Sequence, residues 1–181
     1  MTQFSVSLDK IAQQLKLEVV YTPKELKDIP IYTADVNRPG LLLTGYDEYF
    51  DPTRIQIYGN AEMGYLSTLP EAERRSRMHT LFATKPPALV VTRSLAVFSE
   101  IMEFASQYGV PVLRTAESTS GFMSALISML NIELAQRITR HGVLVEVYGE
   151  GILILGESGV GKSDQLPVFQ IGVAAVGLGC T

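Results

Sequence analysis

Apolar positions along the first part of the chain alternate between the spacing of helices and the spacing of strands. Within residues 7–16, Leu8, Ile11 and Leu15 share one helical face behind Ser7, which is a candidate N-cap. The apolar run directly after this segment predicts a short strand. The chain is therefore expected to begin with a helix followed by a strand.

The next pattern starts at Pro39–Gly40, which predict a turn in front of the apolar run 41–43. Residues 54–59, with the sequence RIQIYG, have the β-branched and aromatic content of a strand. We expect both runs to be buried. A strongly charged helix is predicted over residues 69–82, and a Pro-Pro pair separates it from a core strand at residues 88–92.

Two further helices are predicted downstream, with a strand between them. In the first, apolar residues recur at helical spacing after Ser94, which can cap the helix, and Gly109 can end it. The strand at residues 110–115 follows at once. The second helix has an apolar stripe preceded by three candidate N-caps. The stripe is Phe122, Leu126, Met129 and Leu130, and the candidate caps are Ser118, Thr119 and Ser120.

Strands that alternate with helices predict an α/β fold for the N-terminal domain, residues 1–133, with a mostly parallel sheet flanked by helices. Residues 134–142 are polar and have the composition of a linker. Residues 143–163 predict a hairpin turning at Gly149-Glu150-Gly151, then a glycine-rich loop that begins a second domain. Residues 164–181 form a tail of different composition.

Composition excludes several classes of protein. Of the 181 residues, 46% are apolar and 19% charged, which is enough hydrophobic material for a packed core. The formal net charge of −4 disfavours a nucleic-acid partner, and no apolar run is long enough to span a membrane. Cys180 is the single cysteine and cannot form an internal disulfide, so we expect a reducing cytoplasm. His79 and His141 lie too far apart in sequence to resemble a zinc cluster.

The strongest chemical signal is a match to the phosphate-binding motif G-x-x-x-x-G-K-[ST], directly after an apolar strand. Its glycines allow consecutive backbone N–H groups to surround a phosphate, while the lysine adds a positive charge and the final hydroxyl can bind Mg²⁺. The alternative is a glycine turn with a surface lysine. The predicted ATP-binding residues are Gly156, Glu157, Ser158, Gly159, Val160, Gly161, Lys162 and Ser163.

Weaker candidates lie elsewhere. His141 stands beside a glycine at the predicted domain junction, where a histidine is usually a solvated linker residue. The segments NRPG at 37–40, GYDEYF at 45–50 and TSGF at 119–122 combine polar residues with turn-forming or aromatic residues and could face a ligand. We interpret them as turns and helix caps beside strands, which is the commoner origin of such clusters.

Five segments together resemble bacterial HPr kinase/phosphorylase, and the similarity covers nearly all of residues 4–163. The most specific is the last, in which His-Gly, a short hairpin and the phosphate-binding motif occur in the family's order. The segments are DVNRPGLLLTGY (35–46), YFDPTRIQIYG (49–59), ALVVTRSL (88–95), YGVPVLRT (108–115) and RHGVLVEVYGEGILILGESGVGKS (140–163).

The resemblance implies an N-terminal α/β domain of uncertain role, joined to a P-loop kinase domain that assembles as a hexamer. It implies ATP-dependent phosphorylation of a serine on the phosphocarrier HPr and phosphorolysis of that phosphoserine, which link sugar supply to catabolite repression. By position, residues 156–163 become the nucleotide loop, Lys162 and His141 active-site residues, and Ser163 a Mg²⁺ ligand.

The sequence departs from the family pattern after Ser163. Pro167 falls in the second turn of the helix expected after the loop, and Asp164 is the last acidic residue of the chain. We therefore expect little or no kinase activity from this polypeptide alone, and we attribute residues 164–181 to a frameshift or a truncation. Two alternatives stay open: a non-catalytic regulatory or oligomerisation module, and an unrelated P-loop NTPase.

Overall fold

The computed structural model of the chain describes residues 4–135, 142–147 and 150–155. The chain forms two compact units, Met1–Leu134 and Ala135–Thr181. Each unit is described separately below.

The first unit contains most of the regular structure. Its strands are β1 (Val6–Ser7), β2 (Glu18–Tyr21), β3 (Pro30–Ile31), β4 (Val36–Asn37), β5 (Ile55–Tyr58), β6 (Leu89–Val91) and β7 (Val112–Arg114). Its helices are α1 (Leu8–Gln14), α2 (Gly40–Thr44), α3 (Asn60–Thr68), α4 (Glu71–Ala83), α5 (Ser99–Tyr108) and α6 (Thr119–Leu134), with a 3₁₀ turn at Leu26–Asp28.

A five-stranded sheet with the order β2-β7-β6-β5-β4 forms the centre of this unit. Strands β4 to β7 are parallel and adjacent in chain order, whereas β2 pairs antiparallel with β7 at one edge. Strands β1 and β3 form a separate antiparallel pair. The prediction of an α/β fold with a mostly parallel sheet flanked by helices is confirmed.

Helices cover both faces of the sheet. Because right-handed crossovers between parallel neighbours place their helices on one side, α2 to α5 share a face. Alternate strand residues point to opposite faces, so each face has its own core. The core of the α2–α5 face includes Tyr58, Leu89, Val91 and Val112, and it also contains Phe82 and Ile101. The core of the α1–α6 face includes Ile55, Ile57, Val90 and Leu113, packed with residues of α1 and α6.

Helices α1 and α6 confirm the predicted apolar stripes. Ser7 is the N-cap of α1, where its Oγ accepts a hydrogen bond from the Lys10 N–H at 3.3 Å, and Leu8 and Ile11 are buried. In α6 the four stripe residues are buried, among them Phe122. Of the three candidate caps, Ser118 lies directly before the helix, and its Oγ accepts from the Gly121 N–H at 3.2 Å.

Two local predictions were wrong. The apolar run 41–43 lies in α2, where Leu41 is 67% exposed although Leu42 and Leu43 are buried. A helix rotates successive side chains by about 100°, so three consecutive residues cannot all face the sheet. Ser94 does not cap α5, which has Phe98 at its N-cap position. Instead, Ser94 has φ +50° and donates its N–H to the Thr115 carbonyl oxygen at 2.8 Å.

The described part of the second unit is a hairpin of β8 (Gly142–Val147) and β9 (Glu150–Leu155). The predicted hairpin is confirmed, but its turn is misplaced. Glu150 pairs with Val147, and Gly151 pairs with Glu146, so both belong to β9 rather than to the turn.

Candidate functional site

His141 and the loop residues 156–163 lie outside the described residues. The structure does describe the strand in front of that loop, because β9 ends at Leu155. A strand followed directly by the glycine-rich segment is the context in which such a loop binds nucleotide phosphates. The donors that the sequence predicts there are backbone N–H groups with the ammonium of Lys162 and the hydroxyl of Ser163, a set expected for ATP with Mg²⁺.

In the first unit, the carboxyl ends of β4 to β7 lie at one edge of the sheet. Open α/β sheets usually bind ligands outside this edge. Arg38 follows β4, and its Nε and Nη2 donate to the Oε1 and Oε2 atoms of Glu62, both at 3.1 Å. The Oε2 of Glu62 also accepts from the Gly59 N–H at 2.9 Å. Glu62 is only 4% exposed, so this ion pair fixes the plane of the Arg38 guanidinium.

Close packing fills the middle of the same edge. The Thr92 hydroxyl lies 2.8 Å from the Thr119 hydroxyl and 3.1 Å from the Tyr58 carbonyl oxygen. A Cβ placed on Gly59 would lie 2.4 Å from Thr119 Oγ1, closer than atoms can approach. A glycine is therefore required at position 59, where the start of α6 packs closely against the residue that follows β5.

A cavity of about 140 Å³ opens beside this edge, between β4, α2 and the loop after α2. It brings together residues from two segments that were ligand-facing candidates in the sequence, 37–40 and 45–50. We call it the aromatic pocket. Its lining residues are Asn37, Arg38, Pro39, Leu41, Leu42, Tyr46, Tyr49 and Phe50.

Hydrogen bonds hold one wall of the aromatic pocket in place. The Asn37 Nδ2 donates to the Asp51 carbonyl oxygen at 2.9 Å. The Asp51 carboxylate accepts from the hydroxyl and the N–H of Thr53, at 2.6 and 2.9 Å, and from Arg54 Nε at 2.9 Å. The Thr53 hydrogen bonds, followed by that from Arg54, lower the pKa of Asp51. These hydrogen bonds connect the loop between α2 and β5 to Asn37 of β4 and stabilise the turn at residues 51–54.

Two buried polar atoms on β5 have no hydrogen-bond partner among the described residues, Gln56 Oε1 and Tyr58 Oη. Burial, and secondarily the charge of Glu62, raise the pKa of Tyr58. The Gln56 Nε2 donates to the Arg54 carbonyl oxygen at 2.8 Å and to the Asp51 carbonyl oxygen at 3.4 Å. Sequence reasoning missed both residues, although a glutamine within an otherwise apolar strand was a visible signal.

The remaining sequence candidates have structural roles in the described part of the chain. The TSGF segment at 119–122 forms the first turn of α6, as the interpretation as a helix start predicted. Within residues 4–135, 142–147 and 150–155, no three His, Cys, Asp or Glu side chains cluster so that they could hold a metal. In the same residues, no helix combines the length and the hydropathy that a bilayer crossing requires.

Two family descriptions match the sequence, one for each part of the chain. Residues 6–130 match the HPr Serine kinase N terminus, and residues 132–168 match the HPr Serine kinase C-terminal domain. The second match includes His141 and the glycine-rich loop, and it continues to residue 168, beyond Ser163.

Curated relatives named HPr kinase/phosphorylase match most of the chain. That of Caldicellulosiruptor bescii is 47% identical over 89% of this chain and 52% of its own length. Those of Lachnoclostridium phytofermentans and Streptococcus thermophilus are 44% and 42% identical, over 89% and 88% of this chain and 52% of their own lengths. The chain therefore spans about half the length of the curated relatives it matches.

A solved structure also matches part of the fold. It contains the CBS and DRTGG domains of the regulatory region of Clostridium perfringens pyrophosphatase, complexed with the activator diadenosine tetraphosphate. The match covers 67% of this chain and 45% of that chain, with 22% identity and a TM-score of 0.47, too low to support a functional argument. The family matches and the curated relatives show that this chain belongs to the HPr kinase/phosphorylase family.

Proposed function

We propose that the protein has the function of an ATP-dependent serine kinase and phosphorylase that acts on the phosphocarrier HPr and so controls carbon catabolite repression, and that the 181-residue chain by itself has little or no kinase activity. The observation that supports this function is the pair of family matches, which together include residues 6–130 and 132–168. The phosphate-binding motif lies inside the second match, and β9 leads directly to it.

The residues proposed for nucleotide binding are those of the motif. The backbone N–H groups of residues 156–163 would surround the phosphates, and the Lys162 ammonium would neutralise charge on the β- and γ-phosphates. The Ser163 hydroxyl would bind Mg²⁺, and His141 is proposed as an active-site residue. Bound ATP supplies the phosphoryl group for transfer to a serine.

The proposed partner is HPr, because the curated relatives are named for it. A hexameric assembly and a cytoplasmic location are part of the same proposal. The hexamer is proposed from the family resemblance alone, whereas the cytoplasmic location is also supported by the single cysteine of the sequence.

Equilibrium binding of ATP and Mg²⁺ to the 181-residue chain tests the nucleotide site. We expect the substitution Lys162→Ala to weaken ATP binding by about 10- to 100-fold, since a charged hydrogen bond contributes about 1.5–3 kcal/mol. Lys24→Ala, which removes an exposed lysine of the first unit, is the matched control and should bind as the parent chain does. Isothermal titration calorimetry measures both variants, with circular dichroism to show that each is folded.

Equal ATP affinity of the parent chain and Lys162→Ala would overturn the proposed nucleotide site. That result would instead favour the alternative in which the chain acts as a non-catalytic regulatory or oligomerisation module.

A further inference from the structure

The aromatic pocket presents flat apolar walls to solvent. Tyr46, Tyr49 and Phe50 form one side, and the Tyr46 and Tyr49 ring centroids lie 6.4 Å apart with an interplanar angle of 45°. Tyr49 is 82% exposed and Leu41 is 67% exposed, so this apolar surface is in contact with water. Walls of this kind gain stacking contacts and lose hydrated apolar surface when they bind a planar ring.

The size of the aromatic pocket limits its ligand. Its volume of about 140 Å³ is smaller than the roughly 300–1,000 Å³ of pockets that enclose drug-sized ligands. One heterocycle of one or two fused rings suits this space, with the rest of the molecule in solvent.

Asn37 and Arg38 are the polar non-aromatic lining residues of the aromatic pocket, and the Arg38 guanidinium is held in place. Arg38 uses Nε and Nη2 to bind Glu62, and its Nη1 makes no hydrogen bond to any described residue. Because the ion pair sets the plane of the guanidinium, the free N–H groups of Nη1 are held in a defined direction. Such donors match the ring nitrogens and carbonyl oxygens of nucleobases.

The charges around the aromatic pocket disfavour an anion. Glu62 neutralises Arg38, and Arg54 is shared between Asp35 and Asp51. The neighbouring acids Asp47 and Glu48 are exposed and make no ion pair with any described cation. The surroundings are therefore net negative, and a phosphate or a carboxylate near the opening would be repelled.

A buried hydrogen-bond acceptor, Gln56 Oε1, lies behind the side of the aromatic pocket that Asn37 forms. The Gln56 side chain shares the Asp51 carbonyl oxygen with Asn37, a lining residue, and its Oε1 has no donor among the described residues. Buried acceptors without donors are uncommon in folded proteins. Gln56 is fully buried and does not line the aromatic pocket, so it supports the Asn37 side of the pocket from behind and does not contact the ligand.

We propose that the aromatic pocket binds a neutral planar nitrogen heterocycle, namely the base of a nucleoside without phosphates, stacked on Tyr49 and hydrogen-bonded to Arg38. This nucleoside site is formed by residues of the first unit, and it includes no residue of the proposed nucleotide loop. It does not depend on the proposed kinase function.

The order of affinities for adenosine, AMP and ATP distinguishes the two sites. The titrations use the full 181-residue chain carrying Lys162→Ala, which removes the main charge of the nucleotide loop. We expect adenosine to bind more tightly than AMP, and AMP more tightly than ATP, because each added phosphate meets the acidic surroundings. A phosphate-binding loop gives the opposite order. Ligand-observed and ¹⁵N-detected NMR measure the weak affinities expected for a small, open pocket.

Tyr49→Ala in the same background tests the location. Tyr49 is largely exposed, so its removal leaves the fold intact, and we expect about a tenfold loss of adenosine affinity from lost stacking. Tyr32→Ala removes another exposed tyrosine, outside the pocket, and should change nothing. The proposal is overturned if adenosine does not saturate at its solubility limit, if both tyrosine variants bind adenosine equally, or if ATP is the ligand whose binding Tyr49→Ala weakens most.

Discussion

The two faces of the central sheet are stabilised in different ways. On the α1–α6 face the core is apolar, and the buried hydroxyls of Thr92 and Thr119 bond to each other. The α2–α5 face instead contains the buried carboxylates of Glu62 and Glu100, at 4% and 5% exposure. One sheet therefore has a face held mainly by packing and a face held by packing together with ion pairs.

On the α2–α5 face, each buried carboxylate receives an arginine from a different element. Arg38, after β4, binds Glu62 of α3, and Arg74 of α4 binds Glu100 of α5 through Nε at 2.8 Å. A buried ion pair adds little net stability, but removal of one partner leaves an unpaired charge, which is costly. These pairs therefore act chiefly by fixing the positions of helices and loops, including the guanidinium that faces the aromatic pocket.

The largest effect is expected from an apolar truncation on the α1–α6 face. Phe122 is 2% exposed, so Phe122→Ala should lower the free energy of unfolding by about 3–5 kcal/mol through lost burial and a new cavity. Urea titration followed by circular dichroism measures it, since the chain has no tryptophan. Phe4→Ala is the control, because Phe4 is 45% exposed and should cost little. Equal losses for the two variants would contradict a packed core on this face.

A smaller loss is expected when an ion pair on the α2–α5 face is broken. Arg38→Ala leaves the Glu62 carboxylate buried without its counter-ion and should lower the free energy of unfolding by about 2 kcal/mol. The Arg38 side chain is 42% exposed, so the loss stays below that of a fully buried pair. Lys27→Ala, which breaks an exposed pair with Glu25, should have almost no effect on the urea midpoint. Similar urea midpoints for both variants would show that the Arg38–Glu62 pair contributes no more to stability than an exposed ion pair does.

A change of opposite sign is expected at β5. Tyr58→Phe removes a buried hydroxyl that has no partner among the described residues, so it should raise the free energy of unfolding by about 1 kcal/mol. In contrast, Tyr108→Phe removes a hydroxyl that lies 2.6 Å from His79 Nε2 and should destabilise slightly. Thermal unfolding of both variants gives the comparison, and a clear destabilisation by Tyr58→Phe would mean that its hydroxyl is hydrogen-bonded.

The smallest effect concerns acid stability. A hydrogen bond from its own backbone, followed by those from Arg74 and Ser99, lowers the pKa of Glu100 below its ordinary value of 4.5. As the pH falls, the Glu100 carboxylate is therefore protonated in the unfolded state before it is protonated in the folded state. Its stabilisation of the fold is present above pH 4.5 and is lost as the pH falls through the folded pKa. Urea midpoints at pH 7, 4 and 3 should fall less steeply for Glu100→Gln. If the urea midpoint of Glu100→Gln falls with pH as steeply as that of the parent chain, Glu100 does not contribute to the acid sensitivity of the fold.

Much of the fold was predictable because local patterns and tertiary packing agree. The apolar stripe that includes Phe122 and the N-cap at Ser7 depend only on residues a few positions apart, so the sequence alone predicts them. The run 41–43 was mispredicted for a local reason, because it lies in a helix that turns Leu41 to solvent, whereas the cap at Ser94 was mispredicted because a contact distant in sequence decided the outcome. Serine is a favoured N-cap residue, but the Ser94 N–H donates to the carbonyl oxygen of Thr115, the residue directly after β7. This hydrogen bond holds Ser94 in the left-handed backbone conformation.

The sequence by itself determined the α/β class, the family and the phosphate-binding motif, because each depends on residue types at fixed spacing. Only the tertiary structure decided that residues 37–39 line one pocket with Tyr46, Tyr49 and Phe50, and that Glu62 fixes the Arg38 guanidinium. It also showed that Gly59 must lack a side chain beside Thr119. Such facts depend on distances between residues far apart in the chain, and the spacing of residues along a sequence does not contain those distances.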